Sequence, residues 1–258
     1  MDTSAPPHRI EEAVEVFGWP GRGRLVITCE HASNRIPPPL AAAPEDLPWL
    51  ASYWGWDIGA RDLALRLAEA SGSAAVLSRV CRLACDVNRP PEDPTVFVAR
   101  TEHHVLTFNE LMSDEDRAWR IEAWHLPFHD AVDVLVDQRL PAGGDVLLLS
   151  VHTFPPALYG LRRLIEVGIL FDPYESIAGR LASDLAARGL ATALNEPHSG
   201  RRGHMYSAAR HGLSRQVVFL ELEVNQGLLA SPERLDRIAS LLAEAVASLR
   251  LRDRFRTP

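Results

Sequence analysis

Two short apolar runs that each end in a histidine constrain the fold of this chain more than any other feature. The first run, Arg24 to Cys29, is followed closely by His31, and the second, Asp145 to Val151, leads directly into His152. Continuous apolar runs of this length, bounded by polar residues and prolines, are typical of buried strands in a largely parallel sheet. Both histidines are therefore predicted to lie at strand ends.

The rest of the chain alternates between strand-like and helix-like patterns, which is typical of an α/β fold. A turn over 141–144 precedes the second apolar run, and Pro127 predicts a bend in the helix before it. The further predicted strands cover 74–78, 165–171, 191–194 and 216–224, and the predicted helices cover 57–70, 114–139, 174–188 and 231–251.

Length and composition predict one compact domain. The chain has 258 residues, of which 47% are hydrophobic, and we expect a single domain over 1–258 with a polar N-terminal arm over 1–20. The net charge of -7 and the absence of a basic run argue against nucleic acid as a partner. No run approaches the roughly 18 apolar residues of a membrane span, and no secretion signal is evident, so we expect a cytoplasmic protein.

The three cysteines, Cys29, Cys81 and Cys85, are an odd number in a chain of this length, which argues against a disulfide framework. Cys29 is either a nucleophile or a buried thiol that packs like a small hydrophobic residue. Its position at the end of an apolar strand favours packing.

Several polar residues follow predicted strands and would meet at one edge of the sheet. Ligands bind beyond the carboxyl ends of strands in open α/β sheets, and His31, Asn88-Arg89, His152 and Glu223 fall at or just past such ends. A single histidine at a strand end is usually structural, but two histidines and an acid in matching positions favour a metal site.

A catalytic zinc takes three protein ligands, so His31 and His152 require one more. Asp57 is the first candidate, and its alternative role is the N-cap of the helix that follows. Glu30 ranks below it, because alternation along a strand would point Glu30 away from His31.

A metal site that hydrolyses an amide also needs a base and a means of holding the substrate. Glu223 suits the base, since a desolvated glutamate titrates nearer neutrality; its alternative is a structural salt bridge. Arg89 can hold a carboxylate through two hydrogen bonds, with Asn88 as a neighbouring donor, or it can pair with Asp86 inside the protein.

The motifs that carry these residues resemble the N-formylglutamate amidohydrolase family over about 25–229. They are Cys29-Glu30-His31-Ala32-Ser33-Asn34, Trp56-Asp57-Ile58-Gly59-Ala60, Asp86-Val87-Asn88-Arg89-Pro90, Ser150-Val151-His152-Thr153-Phe154 and Glu223-Val224-Asn225. The resemblance implies a zinc-exopeptidase-like α/β fold, a three-layer sandwich with a mixed, mostly parallel sheet and helices on both faces. It also implies hydrolysis of N-formyl-L-glutamate to formate and L-glutamate.

A more distant likeness to metallocarboxypeptidases agrees with the roles given to His152, Asn88-Arg89 and Glu223. Those enzymes have a zinc-binding glutamate three residues after the first histidine, whereas this chain has Asn34 at that position. We therefore group Asn34 with the substrate-binding residues. Asp57 is then the expected third metal ligand.

The segment from Asn195 to Gly200 resembles a family region that borders the site. Arg201 and His211 are then either contacts for a second substrate carboxylate or for the oxyanion, or part of a solvated basic loop.

The sequence thus predicts an amidohydrolase with one zinc ion held by His31, Asp57 and His152. Its partner would be a small N-acyl amino acid, and it would be a monomer or small homo-oligomer. Two alternatives stay open: the same site acting on another N-acyl amino acid or, like a carboxypeptidase, on a peptide, and a non-catalytic module that binds carboxylates.

Overall fold

An eight-stranded mixed sheet forms the centre of the computed structural model, which describes residues 8–18, 23–101, 103–140 and 146–251. The strands are β1 (His8–Ile10), β2 (Val14–Phe17), β3 (Leu25–Cys29), β4 (Ala74–Ser78), β5 (Leu147–Phe154), β6 (Ala157–Leu158), β7 (Leu161–Arg162), β8 (Val167–Leu170), β9 (Thr192–Leu194) and β10 (Val218–Asn225). The helices are α1 (Leu47–Leu50), α2 (Ala60–Ser71), α3 (Asp114–Arg120), α4 (Leu126–Arg139), α5 (Glu175–Ala187), α6 (Tyr206–Arg215) and α7 (Pro232–Ser248).

Parallel strands occupy the middle of the sheet, whose order is β1-β2-β4-β3-β5-β10-β8-β9. The neighbours β4, β3, β5 and β10 run parallel, whereas β2 and β8 pair antiparallel with β4 and β10. Every residue of the four central strands is buried, which explains why their sequences are nearly continuous apolar runs. The hairpin of β6 and β7 stands apart from this sheet.

Helices cover both faces of the sheet. Side chains of α2, α5 and α7 pack with the strands in one hydrophobic cluster, in which Leu63, Leu67 and Leu242 are fully buried. Residues of α4 and α6 pack against the other face, where Phe128 is fully buried. This arrangement confirms the predicted α/β sandwich with a mixed sheet.

Helix α2 begins three residues later than the sequence predicts. Gly59 occupies its N-cap with φ of 84°, a left-handed conformation that suits glycine. Asp57 therefore does not cap the helix, so the alternative N-cap role is wrong. Its backbone N–H instead donates to the carbonyl of His31 at 3.0 Å, which ties the residue to the segment after β3.

The long helix predicted over 114–139 is interrupted. A π-helical turn, Ile121–His125, separates α3 from α4, and Pro127 lies in the first turn of α4. Because proline has no backbone N–H, the regular hydrogen-bond ladder cannot continue through Pro127, and a wider turn precedes it. Ser113 caps α3, since its hydroxyl accepts from the N–H of Asp116.

The N-terminal arm expected over 1–20 differs from the structure, because β1 and β2 belong to the sheet. Val14 and Val16 are buried, and β2 pairs with β4 along its length, so apolar alternation makes this segment a strand. The turn expected over 141–144 lies outside the described residues. Within the described parts of the chain, no helix is both long enough and apolar enough to cross a membrane.

Candidate active site

Polar side chains gather at one edge of the sheet, where three neighbouring strands end. Strands β3 and β5 pair in parallel with Thr28 opposite Ser150, and β5 and β10 pair in parallel with His152 opposite Glu223. His31 lies two residues beyond the end of β3. Parallel pairing with a shared direction therefore brings the two predicted histidines to the same edge.

His31, Asp57 and His152 form a compact buried triad. One ligand atom from each lies within 4.8 Å of the others. Oδ2 of Asp57 is 2.7 Å from Nδ1 of His152 and 3.6 Å from Nδ1 of His31. The two imidazole rings meet edge to face with their centroids 4.7 Å apart. Two nitrogens and one carboxylate oxygen thus converge on a single point.

The outer nitrogen of His31 is held by a second carboxylate. Its Nε2 lies 2.8 Å from Oδ1 of Asp86, which also accepts a hydrogen bond from the N–H of Asn88. Because a carboxylate only accepts, Nε2 of His31 is the donor, which leaves Nδ1 as the ring nitrogen that can offer a lone pair to a metal. That Nδ1 atom is buried and has no hydrogen-bond partner among the described residues.

His152 also has a carboxylate behind it, that of Glu30, but its Nε2 makes an ion-pair contact there and no hydrogen bond within the described residues. Nε2 of His152 lies 3.2 Å from Oε2 of Glu30 and 3.7 Å from Oε2 of Glu221, while Ser150 Oγ donates to Glu30 at 2.5 Å. Glu30 was expected to point away from His31, yet its carboxylate contacts His152 beside it, so this expectation is wrong. Thr28 lies opposite Ser150, so alternation places Glu30 on the face of Ser150 and His152, and it is His31, past the end of β3, that leaves the strand pattern. Glu30 contacts the outer nitrogen of His152, which leaves Asp57 as the carboxylate between the two inner nitrogens.

The charges in this cluster favour a bound cation. Burial lowers the pKa of His152, but the carboxylates of Glu221, Asp57 and Glu30 together raise it well above its usual value. Burial alone would raise the pKa of Asp57, yet the two histidines hold it below its usual range. A divalent metal ion between the inner nitrogens and Asp57 would satisfy both the carboxylate and the orphan lone pair of His31. The residues therefore fit a metal, and the nitrogen and oxygen donor set suits zinc.

Glu223 faces the same cavity from β10. Burial raises its pKa to about 7, and Arg82 and Arg163 are among the groups that oppose this rise. Its Oε1 lies 3.8 Å from Nε2 of His198. A carboxyl group with a pKa near neutrality can accept and return a proton at physiological pH.

Six of the predicted residues line one cavity of about 230 Å³: His31, Asp57, Asn88, Arg89, His152 and Glu223. Both polar ends of the Asn88 side chain are engaged, because Oδ1 accepts from the N–H of Ser207 and Nδ2 donates to the carbonyl of His204. Arg89 makes only a long contact, because its Nε is 3.9 Å from the Asp86 carboxylate, and about a third of its side chain is exposed. Arg89 can therefore still bind a carboxylate.

Three predicted site residues lie elsewhere. Asn34 is exposed and does not line the cavity. Arg201 is also exposed, and its guanidinium pairs with Glu175 at 2.6 Å. It lies in a 3₁₀ turn, Gly200–Arg202, that ends in a left-handed glycine, Gly203, and directs the arginine to the surface. We no longer assign Asn34 or Arg201 to the site.

His211 is fully buried and cannot contact a substrate in the cavity. It lies on the face of α6 that packs against α4, where its Nδ1 donates to Asp133 at 2.5 Å and its Nε2 is 2.8 Å from Nδ1 of His129. Burial lowers the pKa values of both His211 and His129. These two histidines are therefore neutral members of a buried hydrogen-bonded chain.

Among the cavity-lining residues, five charged or imidazole side chains had been assigned no role in the site, although His198 belongs to the segment expected to border it: Arg82, Arg163, His198, His204 and Glu221. Two of them carry a signal in the sequence. Glu221 precedes Glu223 by two positions and so shares its face of β10, and Arg82 precedes Asp86 by four and pairs with it at 3.2 Å. Burial raises the pKa of Glu221 to about 8. The proline-rich loop over 37–48 contributes no residue to the cavity wall.

Comparison with known proteins gives a family and several similar folds. The sequence model of the N-formylglutamate amidohydrolase family matches residues 23–230. No functionally curated protein gives a significant match.

Among solved structures, a gene product of Agrobacterium tumefaciens is 29% identical, with 92% of this chain and 96% of that chain covered and a TM-score of 0.83. An N-formylglutamate amidohydrolase from Ralstonia eutropha is 17% identical, covers 92% of this chain and 97% of its own, and has a TM-score of 0.71. At that identity the second likeness concerns the fold alone. A metallo-carboxypeptidase from Pseudomonas aeruginosa is 14% identical over 94% of this chain and 61% of that chain, with a TM-score of 0.41, and we base no inference on it.

Proposed function

The chain belongs to the N-formylglutamate amidohydrolase family, and from this premise and its buried triad we propose that it is a zinc-dependent amidohydrolase. Its substrate would be N-formyl-L-glutamate, cleaved to formate and L-glutamate, or a similar N-acyl amino acid, cleaved to the corresponding carboxylate and the free amino acid. The observation that carries the proposal is the buried Nδ1 of His31, which has no hydrogen-bond partner among the described residues and faces the Asp57 carboxylate.

His31, Asp57 and His152 would hold the metal through the two Nδ1 atoms and the Asp57 carboxylate. When bound, zinc supplies Lewis-acid chemistry: it polarises a carbonyl oxygen and lowers the pKa of water to about 7. The Asp86 carboxylate fixes the ring of His31, and Glu30 lies behind His152. Such outer partners orient metal-binding histidines and make them more basic.

Glu223 would move the proton in the reaction. Water that attacks the acyl carbon loses a proton, and the amine that departs gains one. A single carboxylate in the cavity can do both, and the burial that raises the pKa of Glu223 to about 7 matches its basicity to this task. Glu223 is opposite His152 in the sheet, so the base and a metal-binding residue lie on adjacent strands.

Arg89 would hold the α-carboxylate of the substrate. Its guanidinium lines the cavity and has only a loose contact with Asp86, at 3.9 Å. The side chain of Asn88 ties its own segment to Ser207 and His204, which keeps Arg89 in position. A substrate held at one end presents its amide to the triad in a restricted geometry, which accelerates the reaction.

The small cavity favours an amino-acid-sized substrate over a peptide. At about 230 Å³ it is below the roughly 300–1,000 Å³ of typical ligand pockets. The buried Glu223 disfavours a purely binding role. Its carboxylate would repel an anionic ligand in the cavity, and a protein that only binds has no proton for it to transfer.

Release of the free amino acid from N-formyl-L-glutamate, compared with its release from a panel of other N-formyl and N-acetyl amino acids, tests the proposal. We expect zinc-dependent turnover by the native chain. Glu223→Gln should lower kcat by roughly 10²- to 10⁴-fold with bound zinc unchanged. Glu175→Gln is the matched control, since Glu175 pairs with Arg201 at the surface and should leave turnover unaltered. Turnover of no member of the panel by the zinc-loaded chain would contradict the proposal, and an unaltered Glu223→Gln would refute the assigned base.

A further inference from the structure

A short hairpin reaches the cavity from the end of β5. It comprises β6 and β7, joined by Tyr159 and Gly160, which both have positive φ values of 50° and 76°. Two consecutive left-handed residues give a tight turn whose twist matches that of the paired strands, so the hairpin has a defined shape. The residue that follows it is Arg163, which lines the cavity.

Two contacts hold Arg163 at the cavity wall. Its backbone N–H donates to the carbonyl of Pro156 at 2.9 Å, which closes the base of the hairpin. Its guanidinium carbon lies 5.4 Å from the centre of the Phe154 ring, within the range of a cation–π contact, and Phe154 also lines the cavity. The side chain is thus supported on one side by an aromatic ring, and it makes no hydrogen bond to another side chain of the described residues.

Arg163 differs from the other two cavity arginines because no carboxylate of the described residues forms an ion pair with it. Arg82 lies 3.2 Å from Asp86 and 3.7 Å from Asp57, and Arg89 lies 3.9 Å from Asp86. No carboxylate of the described ranges lies within 4.0 Å of the Arg163 guanidinium. Its charge acts on Glu223 and opposes the rise in that pKa, which indicates that the two groups share the same space.

The topology brings Arg89 and Arg163 to the triad from different directions. Arg89 belongs to the segment that follows β4, on one side of β3 and β5, whereas the hairpin connects β5 to β8 on the other side. A molecule whose amide lies at the triad could therefore extend one negative group toward each arginine. The cavity of about 230 Å³ leaves room for a short dicarboxylate and little more.

We propose that Arg163 is the specificity-determining residue that binds the side-chain carboxylate of an acidic N-acyl amino acid, while Arg89 binds its α-carboxylate. The proposal rests on the proposed function. It replaces Arg201 and His211, which were expected to bind a second carboxylate and lie outside the cavity. A charge-assisted hydrogen bond contributes about 1.5–3 kcal/mol, so loss of the guanidinium should weaken recognition of the acidic side chain by about 10- to 100-fold.

The test compares kcat/KM for N-formyl-L-glutamate and N-formyl-L-glutamine, which differ by a carboxylate and a neutral amide of similar shape. Arg163→Met keeps an apolar stem on Phe154 and removes the charge. We expect it to lower kcat/KM for N-formyl-L-glutamate by about 10- to 100-fold, mainly through a higher KM, and to leave the glutamine derivative nearly unaffected. Arg163→Lys should restore part of the preference. Arg162→Met is the matched control, because Arg162 is adjacent, exposed and outside the cavity wall.

The outcomes separate this inference from the proposed function. If the native chain hydrolyses neither compound, the proposed function is wrong, and the role of Arg163 falls with it. If the native chain is active but Arg163→Met loses the same factor on both compounds, or on neither, only the role of Arg163 is wrong. An equal effect of Arg162→Met would also overturn it, because the charge of the hairpin as a whole would then be responsible.

Discussion

The bond between Asp86 and His31 allows a quantitative test of how the site holds a metal. Oδ1 of Asp86 accepts the Nε2–H of His31 at 2.8 Å, and Arg82 contacts its other oxygen at 3.2 Å. Asp86→Asn keeps the shape and removes the negative charge that orients the ring and makes its Nδ1 more basic. Loss of such an outer partner typically costs 10- to 100-fold in metal affinity, or about 1.4–2.8 kcal/mol.

Zinc affinity, measured by competition with a chromophoric chelator at pH 7, gives the dissociation constant of each variant. The chain provides a matched control in Asp46, another buried aspartate that bonds to a histidine, with Oδ1 2.7 Å from Nε2 of His104. Asp46→Asn should leave zinc affinity unchanged. If Asp86→Asn binds zinc as tightly as the native chain, or if Asp46→Asn weakens binding equally, the assignment of Asp86 to the metal site is refuted.

Three further predictions concern His129, Gly168 and Arg89. Burial lowers the pKa of His129, so below about pH 6.5 the unfolded state binds more protons than the folded state. The free energy of unfolding should therefore fall as pH drops below that value, by up to about 1.4 kcal/mol per pH unit. Urea unfolding of His129→Asn should show a shallower pH dependence than that of the native chain. A Cβ on Gly168 would lie 1.9 Å from the carbonyl of Glu196, so Gly168→Ala should destabilise by about 1–3 kcal/mol in thermal unfolding, whereas Gly179→Ala, in an open helical position, should not. Arg89→Met should raise KM for N-formyl-L-glutamate about 10- to 100-fold with little change in kcat, and an unchanged KM would exclude Arg89 from carboxylate binding.

The central part of the fold and the candidate metal site could be predicted from sequence because both depend on the same simple pattern. The strand predicted over 74–78 coincides with β4, and the runs before His31 and His152 are β3 and β5. Buried parallel strands have continuous apolar sequences, and parallel pairing necessarily brings their ends together. His31 and His152 are accordingly neighbours in space, and Asp57, which precedes α2, joins them because its backbone N–H bonds to the carbonyl of His31.

The remaining site residues depend on contacts that local patterns do not encode. His31 follows the end of β3 and leaves the strand pattern, so alternation relative to His31 gave the wrong direction for Glu30, which shares the face of Ser150. His211 lies on a helix whose buried face is set by packing against α4, and this packing connects it to His129 instead of the cavity. Arg163 reaches the cavity only because a tight hairpin turns the chain back after β5, and only three dimensions show that no carboxylate of the described residues forms an ion pair with it.

Titration of metal-depleted protein with zinc, with formate release from N-formyl-L-glutamate as the readout, tests the central claim most directly. The account predicts that activity rises in proportion to added zinc and saturates at one ion per chain. It also predicts that His31→Ala, Asp57→Ala and His152→Ala bind zinc weakly and gain little activity. Full activity in the metal-depleted protein, or saturation unaffected by these three substitutions, would contradict it.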